Sequence, residues 1–300
     1  MKFTIGLSAA ILVLAAGILH SQGRIEISVI QVPLVVTVTD GNGQLIPTLN
    51  KTDFKVFEGN RQQKIDFFAR QADLPLSVVL LIDQSSSTSD LLEFEREAAM
   101  DFFSNTLKKG KDRAMVVGFA TDPHVLVEFT DDLQKLEAGL KKLSAGGGTA
   151  VYDSVFFAAQ QRLAKEEGER RKLIILISDG YDTASRYSLK EALDRVQRHD
   201  ALVYAISVNR ATLTKNEERE EGDKAIKQMV NETGGRAYFP LKLSDMSAEF
   251  KKIENELRSQ YNLAFTPQNA LDGTYRKLRV ELVDRKYKAR SRTGYIASKN

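Results

Sequence analysis

Three short segments of this 300-residue sequence place hard oxygen donors where apolar runs end. The run at residues 76–82 is followed by Asp83-Gln84-Ser85-Ser86-Ser87. The run at 173–177 is followed by Ser178-Asp179-Gly180. Between them, Gly146-Gly147-Gly148-Thr149 leads into a helix expected to start near Ala150. Carboxylates and hydroxyls without sulfur or imidazole suit Mg2+, Ca2+ or Mn2+ and disfavour zinc or copper. The Asp-x-Ser-x-Ser spacing aims alternate side chains the same way from an extended loop, so all three can converge on one ion. The chain has no cysteine and only three histidines, His20, His124 and His199, far apart in sequence. Disulfide frameworks, zinc ribbons, iron–sulfur clusters and thiol catalysis are thereby excluded.

Other chemistries fit these residues less well. A lone Asp-x-Ser-x-Ser is a common helix cap or turn, and Ser89 or Asp90 is expected to cap the helix that follows. The glycine loop lacks the lysine of a phosphate-binding loop. Ser85 has no adjacent base that would make it a nucleophile. His199 ends a predicted helix, where a cation suits the dipole. Asp182 and Thr183 read as rim residues, Tyr152 as packing, and Phe102, Phe103, Phe156 and Phe157 as core. The acid pairs within 217–221 read as a solvated face.

The elements that must position these segments change character along the chain. In residues 28–70, Leu34, Val36 and Val38 alternate with Val35, Thr37 and Thr39. Asp40-Gly41-Asn42-Gly43 and Glu58-Gly59-Asn60 are turn signals, and a third strand is expected to carry Ile65 and Phe67. In residues 74–258, apolar runs at 76–82, 114–119, 173–177 and 202–208 alternate with amphipathic helical stripes. Such alternation predicts a parallel sheet covered by helices, with 124–129 as an antiparallel edge. Residues 259–298 return to strand patterning. Each flank has too few strands to stand alone, so the two are expected to pack together. The fold class is α/β: a Rossmann-like doubly wound domain inserted in a small β-sandwich. The expected division is 1–23 signal, 24–73 first part of the sandwich, 74–258 α/β domain and 259–300 second part.

Asp83, Ser85, Ser87, Thr149 and Asp179, complete and in order, resemble the metal-ion-dependent adhesion site (MIDAS) of von Willebrand factor type A (VWA) domains. That resemblance implies that Ser85, Ser87 and Thr149 would be inner ligands of Mg2+, with Mn2+ or Ca2+ also suited. Asp83 and Asp179 would balance charge and orient waters. One coordination position would stay open for a carboxylate of a protein or peptide partner. The flanks, with Asp53-Phe54-Lys55-Val56-Phe57-Glu58-Gly59 and Arg292-Thr293-Gly294-Tyr295, look similar to a family of exported bacterial VWA-related proteins.

Lys2, an apolar run to Leu19 and small residues at 21 and 23 read as a secretory signal with cleavage after Gly23; an uncleaved membrane anchor is the alternative. Either way the rest of the chain is expected outside the cytoplasm. With 43 Lys and Arg against 40 Asp and Glu, the net charge of +3 does not support a dedicated nucleic-acid binder. The expected function is an exported, metal-dependent protein-binding module and not an enzyme. The alternatives are an envelope scaffold with a structural metal and, less favoured, a metal-assisted hydrolase.

Overall fold

The computed structural model describes residues 31–70, 74–85, 92–209, 217–269 and 271–297. The expected signal at 1–23 lies outside them, as do Ser87 and the expected cap at Ser89 or Asp90. No helix among the described residues is long and apolar enough to cross a membrane.

The central sheet has six strands: β5 (Leu76–Asp83), β6 (Arg113–Phe119), β7 (Pro123–Thr130), β8 (Arg171–Ser178), β9 (Leu202–Ser207) and β10 (Ala237–Tyr238). Their order is β10-β9-β8-β5-β6-β7, and every pairing is parallel except β6 with β7. β5 is buried along its whole length, which explains why its sequence is continuously apolar rather than alternating. Its side chains still alternate in destination. Val78, Leu80 and Ile82 join the core under α1 (Leu92–Thr106), α2 (Leu133–Leu140) and α6 (Met246–Ser259). Val79 and Leu81 join the opposite core under α3 (Val151–Phe156), α4 (Leu189–Arg198) and α5 (Glu217–Thr233). The helices therefore cover both faces, giving the doubly wound α/β fold. After α3 the chain widens into a π-helical stretch, Phe157–Arg162.

The two flanks build two four-stranded antiparallel sheets. One has the order β13-β1-β11-β4 and contains β13 (Lys288–Arg290), β1 (Val32–Thr39), β11 (Tyr261–Phe265) and β4 (Phe67–Arg70). The other, β14-β12-β2-β3, contains β14 (Gly294–Ile296), β12 (Tyr275–Leu282), β2 (Phe54–Glu58) and β3 (Arg61–Gln63). Leu34, Val36, Phe54, Val56, Leu263, Phe265 and Tyr295 meet in one core between them. The single strand expected around Ile65 and Phe67 is two strands in two sheets. The chain crosses from one sheet to the other at 64–66, and Ile65 is the buried residue at that crossing. Pro33 sits on β1 opposite Ala264 of β11, where β1's other side is unpaired, so its missing N–H disrupts no ladder.

A buried polar network joins the sandwich to the central domain. Glu256 Oε1 of α6 accepts the Tyr204 hydroxyl of β9 at 2.6 Å, the Thr37 hydroxyl of β1 at 3.3 Å and the Arg290 guanidinium of β13. The Gln260 amide donates to Thr37 and Tyr204 at 3.0 and 2.8 Å.

Candidate metal centre

The strand order locates the site. From β5 the chain goes to β6 on one side and later to β8 on the other, so the topological switch lies between β5 and β8. In open α/β sheets the ligand crevice forms beyond the carboxyl ends of such a pair. Asp83 ends β5, and Asp179 directly follows β8. Their positions follow from register: Ile82 pairs with Ile177 across the two parallel strands.

Asp83 is fully buried. Its Oδ1 accepts the Ser85 backbone N–H at 2.9 Å, and its Oδ2 accepts the Ser178 hydroxyl at 2.6 Å. Burial pushes the Asp83 carboxyl up to about 6, against the hydrogen bonds from Ser178 and Ser85 that pull it down; the nearby Asp179 adds to the rise. Asp179 is also raised, first by burial and further by Glu218 and Asp223, although the Tyr181 N–H at 3.0 Å opposes this. Two carboxyls are thus held close in a poorly solvated crevice, an arrangement that a cation would relieve.

The glycine loop is tied to its neighbours by backbone hydrogen bonds. Gly146 N–H donates to the Gln84 carbonyl at 2.7 Å, and Gly148 N–H donates to the Thr121 hydroxyl at 3.2 Å. Ala150 N–H donates to the Ala120 carbonyl at 2.7 Å. Gly147 has φ +93°, and a Cβ there would meet Thr121 Oγ1 at 3.0 Å. Thr149 is buried, and its N–H donates to the Thr183 hydroxyl at 3.0 Å. Its carbonyl accepts from Thr183 N–H at 2.9 Å. The loops carrying Asp83, Thr149 and Asp179 are therefore knit to one another at the carboxyl edge of the sheet. Ser85 is buried beside Asp83. Ser87 lies outside the described residues. Among the described residues no cluster of three or more His, Cys, Asp or Glu side chains gathers. A cation here would depend on hydroxyl donors, and the all-oxygen set fits a hard divalent ion.

Several supporting residues go beyond the sequence reading, in which Asp182 and Thr183 are rim residues. Asp182 accepts the Tyr152 N–H at 3.1 Å and the Ser185 hydroxyl at 2.6 Å, which fixes the first turn of α3. Asp153 is buried and accepts the Arg186 side chain at 3.0 Å and the backbone N–H groups of Arg186 and Tyr187 at 2.9 Å each. Thr121 and Gln84 are set by loop geometry that no local pattern announces. Gly180 has φ +80°, and a Cβ would lie 2.6 Å from the Gly222 carbonyl oxygen. At Gly222 a Cβ would lie 2.4 Å from the Asp179 carbonyl oxygen. The Asp179 loop thus rests directly on the backbone of α5. His199 does cap α4, but burial and the nearby Lys172 lower its pKa. That weakens the cationic role expected of it.

Residues 78–181 match the family profile of the von Willebrand factor type A domain. The chain carries a VWA domain. A comparison with curated protein sequences finds no match. Among solved structures, a von Willebrand factor type A protein from Catenulispora acidiphila aligns over 80% of this chain and 71% of its own. The identity is 12% and the TM-score 0.54. Proximal thread matrix protein 1 from the mussel byssus, with a zinc-occupied MIDAS motif, aligns over 67% of this chain and 49% of its own. The identity is 14% and the TM-score 0.53. These likenesses show a shared VWA fold.

Proposed function

We propose that this protein is an exported binding module whose VWA domain captures an acidic side chain of a protein partner through a divalent cation. Ser85, Ser87 and Thr149 would hold the ion, with Asp83 and Asp179 balancing its charge. The observation that supports this reading is that the segments carrying Asp83, Thr149 and Asp179 are hydrogen-bonded to one another at the switch point of the sheet. The zinc-occupied MIDAS of the mussel protein supports a divalent ion at this place in the fold. Mg2+ is the ion we propose here, with Mn2+ or Ca2+ as substitutes.

When bound, the cation would supply an open coordination position and positive charge. The chain's own residues do the rest. Ser178 and the Ser85 N–H hold the Asp83 carboxylate in one setting. Thr183 fixes the backbone of Thr149. Two carboxylates beside neutral hydroxyls leave room for one more negative group, which an Asp or Glu of the partner would provide. Export rests on the signal-like residues 1–23 and places the partner in the periplasm or outside the cell.

The test is a pull-down from envelope extract with the purified protein as bait, in Mg2+ and in EDTA, with Asp83→Ala as control. A protein retained by the wild type in Mg2+ and lost in the other two arms would support the metal bridge. Partners indifferent to both EDTA and the substitution would overturn it and leave the metal, if bound, a structural role.

A further inference from the structure

A second candidate site lies where the sandwich meets the VWA domain, away from the carboxyl edge of the central sheet. A cavity of about 290 Å³ opens between β1 and β13 on one side and α5 and β10 on the other. The register of the β1–β13 ladder sets one wall. Thr37 pairs with Arg290 and Thr39 with Lys288, so two hydroxyls and two cations share one face of the sheet. The opposite wall contributes Lys227 and Arg236. Four cations line this cavity and no carboxylate does.

The cations are not equivalent. Arg290 is committed: it donates to the buried Glu256 and to the Gly235 carbonyl. Lys227, Arg236 and Lys288 form no ion pair among the described residues. Lys227 rests over the Phe239 ring at 5.0 Å and Arg236 over the Tyr238 ring at 5.8 Å. Those contacts hold the charges beside the cavity without neutralising them. The last turn of α5 opposes an anion with about half a negative charge, against three whole positive charges.

The walls are also closely fitted. Gly234 has φ +87°, and a Cβ there would lie 2.5 Å from the Arg292 backbone nitrogen. At Gly235 a Cβ would lie 1.8 Å from the Val203 carbonyl oxygen. Thr293 N–H donates to the Glu232 carbonyl at 3.2 Å. The C-terminal flank is thus pressed against the end of α5, and the cavity is part of the packed junction. Junctions of this kind are favoured ligand sites.

From this geometry we infer that the cavity binds a small, multiply charged oxyanion carrying phosphate or carboxylate groups. Lys227, Arg236 and Lys288 supply charge, and Thr39 supplies a hydroxyl donor, the Thr37 hydroxyl being committed to Glu256. The inference does not depend on the metal centre, because none of these residues belongs to it.

Titration calorimetry on the purified protein at low salt tests it, with pyrophosphate and citrate as soluble probes and phosphatidylglycerol vesicles as a third arm. All titrations are run in Mg2+-free buffer, on the wild type and on the triple variant Lys227→Gln, Arg236→Gln, Lys288→Gln. The expected result is saturable one-to-one binding of at least one soluble anion, weakened about tenfold or more in the triple variant, with unchanged melting temperature. The single variant Lys288→Gln, at an exposed position, should weaken binding in the same direction. Binding unchanged in the triple variant, or absent for both soluble anions, would overturn the proposal. Vesicle binding without soluble-anion binding would also overturn it, assigning the cations to a membrane-facing surface instead.

Discussion

The Ser178 hydroxyl donates to Asp83 Oδ2 across 2.6 Å, joining the carboxyl ends of two adjacent parallel strands. Ser178 also accepts the Gly180 N–H at 3.0 Å. One hydroxyl therefore sets the Asp83 carboxylate and the turn that carries Asp179. Ser178→Ala should leave the fold intact and weaken Mn2+ binding by about tenfold, the usual cost of losing a group that orients a ligand. Calorimetric titration with Mn2+ checks this; wild-type affinity would show that Ser178 does not act on the site.

The back-to-back contact of Gly180 and Gly222 makes a sharper prediction. Gly180→Ala forces a side chain into a left-handed backbone and against a carbonyl oxygen. The strain alone costs about 1 kcal/mol, and the clash must also move the Asp179 loop off α5. Urea unfolding should show a loss of about 2 kcal/mol or more, accompanied by weaker Mn2+ binding. Gly59→Ala, at φ +58° with open space around it, should show only the strain and leave Mn2+ binding unchanged.

Glu95 of α1 is fully buried, and neither carboxylate oxygen has a hydrogen-bond partner among the described residues. Burial, followed by the nearby Asp83, raises its pKa well above 4.5. Folding therefore holds a proton that the unfolded chain releases above about 4.5, and stability falls as pH rises from there toward the folded value. Glu95→Leu removes that slope. The variant should be more stable than wild type by about 1–3 kcal/mol at pH 8 and by less at pH 5. Urea titrations in EDTA at both pH values measure it; an equal difference at the two would contradict the assignment.

Glu256 gathers hydroxyls from both domains and a guanidinium from the sandwich. Glu256→Ala strands Arg290 and the buried Tyr204 hydroxyl, at a cost of about 3–5 kcal/mol. Calorimetric melting of the variant should separate into two transitions. Gly41→Ala, at an exposed position where an added Cβ would meet nothing within 4 Å, serves as the neutral control.

The alternation of apolar runs and helical stripes made the VWA fold legible, because buried parallel strands and amphipathic helices leave opposite periodicities in the chain. Asp83, Thr149 and Asp179 were legible because each follows such a run or a glycine loop. The crossing at Ile65 was not, since Ile65 and Phe67 read as one strand while the partner strand changes. Nor were Asp153 and Thr121. Both act through loop contacts 27–34 residues away in sequence, which no local pattern encodes. The cavity between β13 and α5 was equally hidden, because it joins residues from opposite ends of the chain.

The path from the sandwich to the candidate metal centre is short. β4 ends at Arg70, opposite Tyr261 of β11, so the chain leaves the sandwich and returns to it on neighbouring strands. From there β5 runs eight residues to Asp83, about 26 Å of extended backbone. A partner gripped at Asp83 while the sandwich is held would load β5 along its axis. The tension would run along β5's covalent backbone, which the hydrogen bonds to β6 and β8 hold in place. A VWA domain hung this way passes the load through a strand that is buried along its whole length.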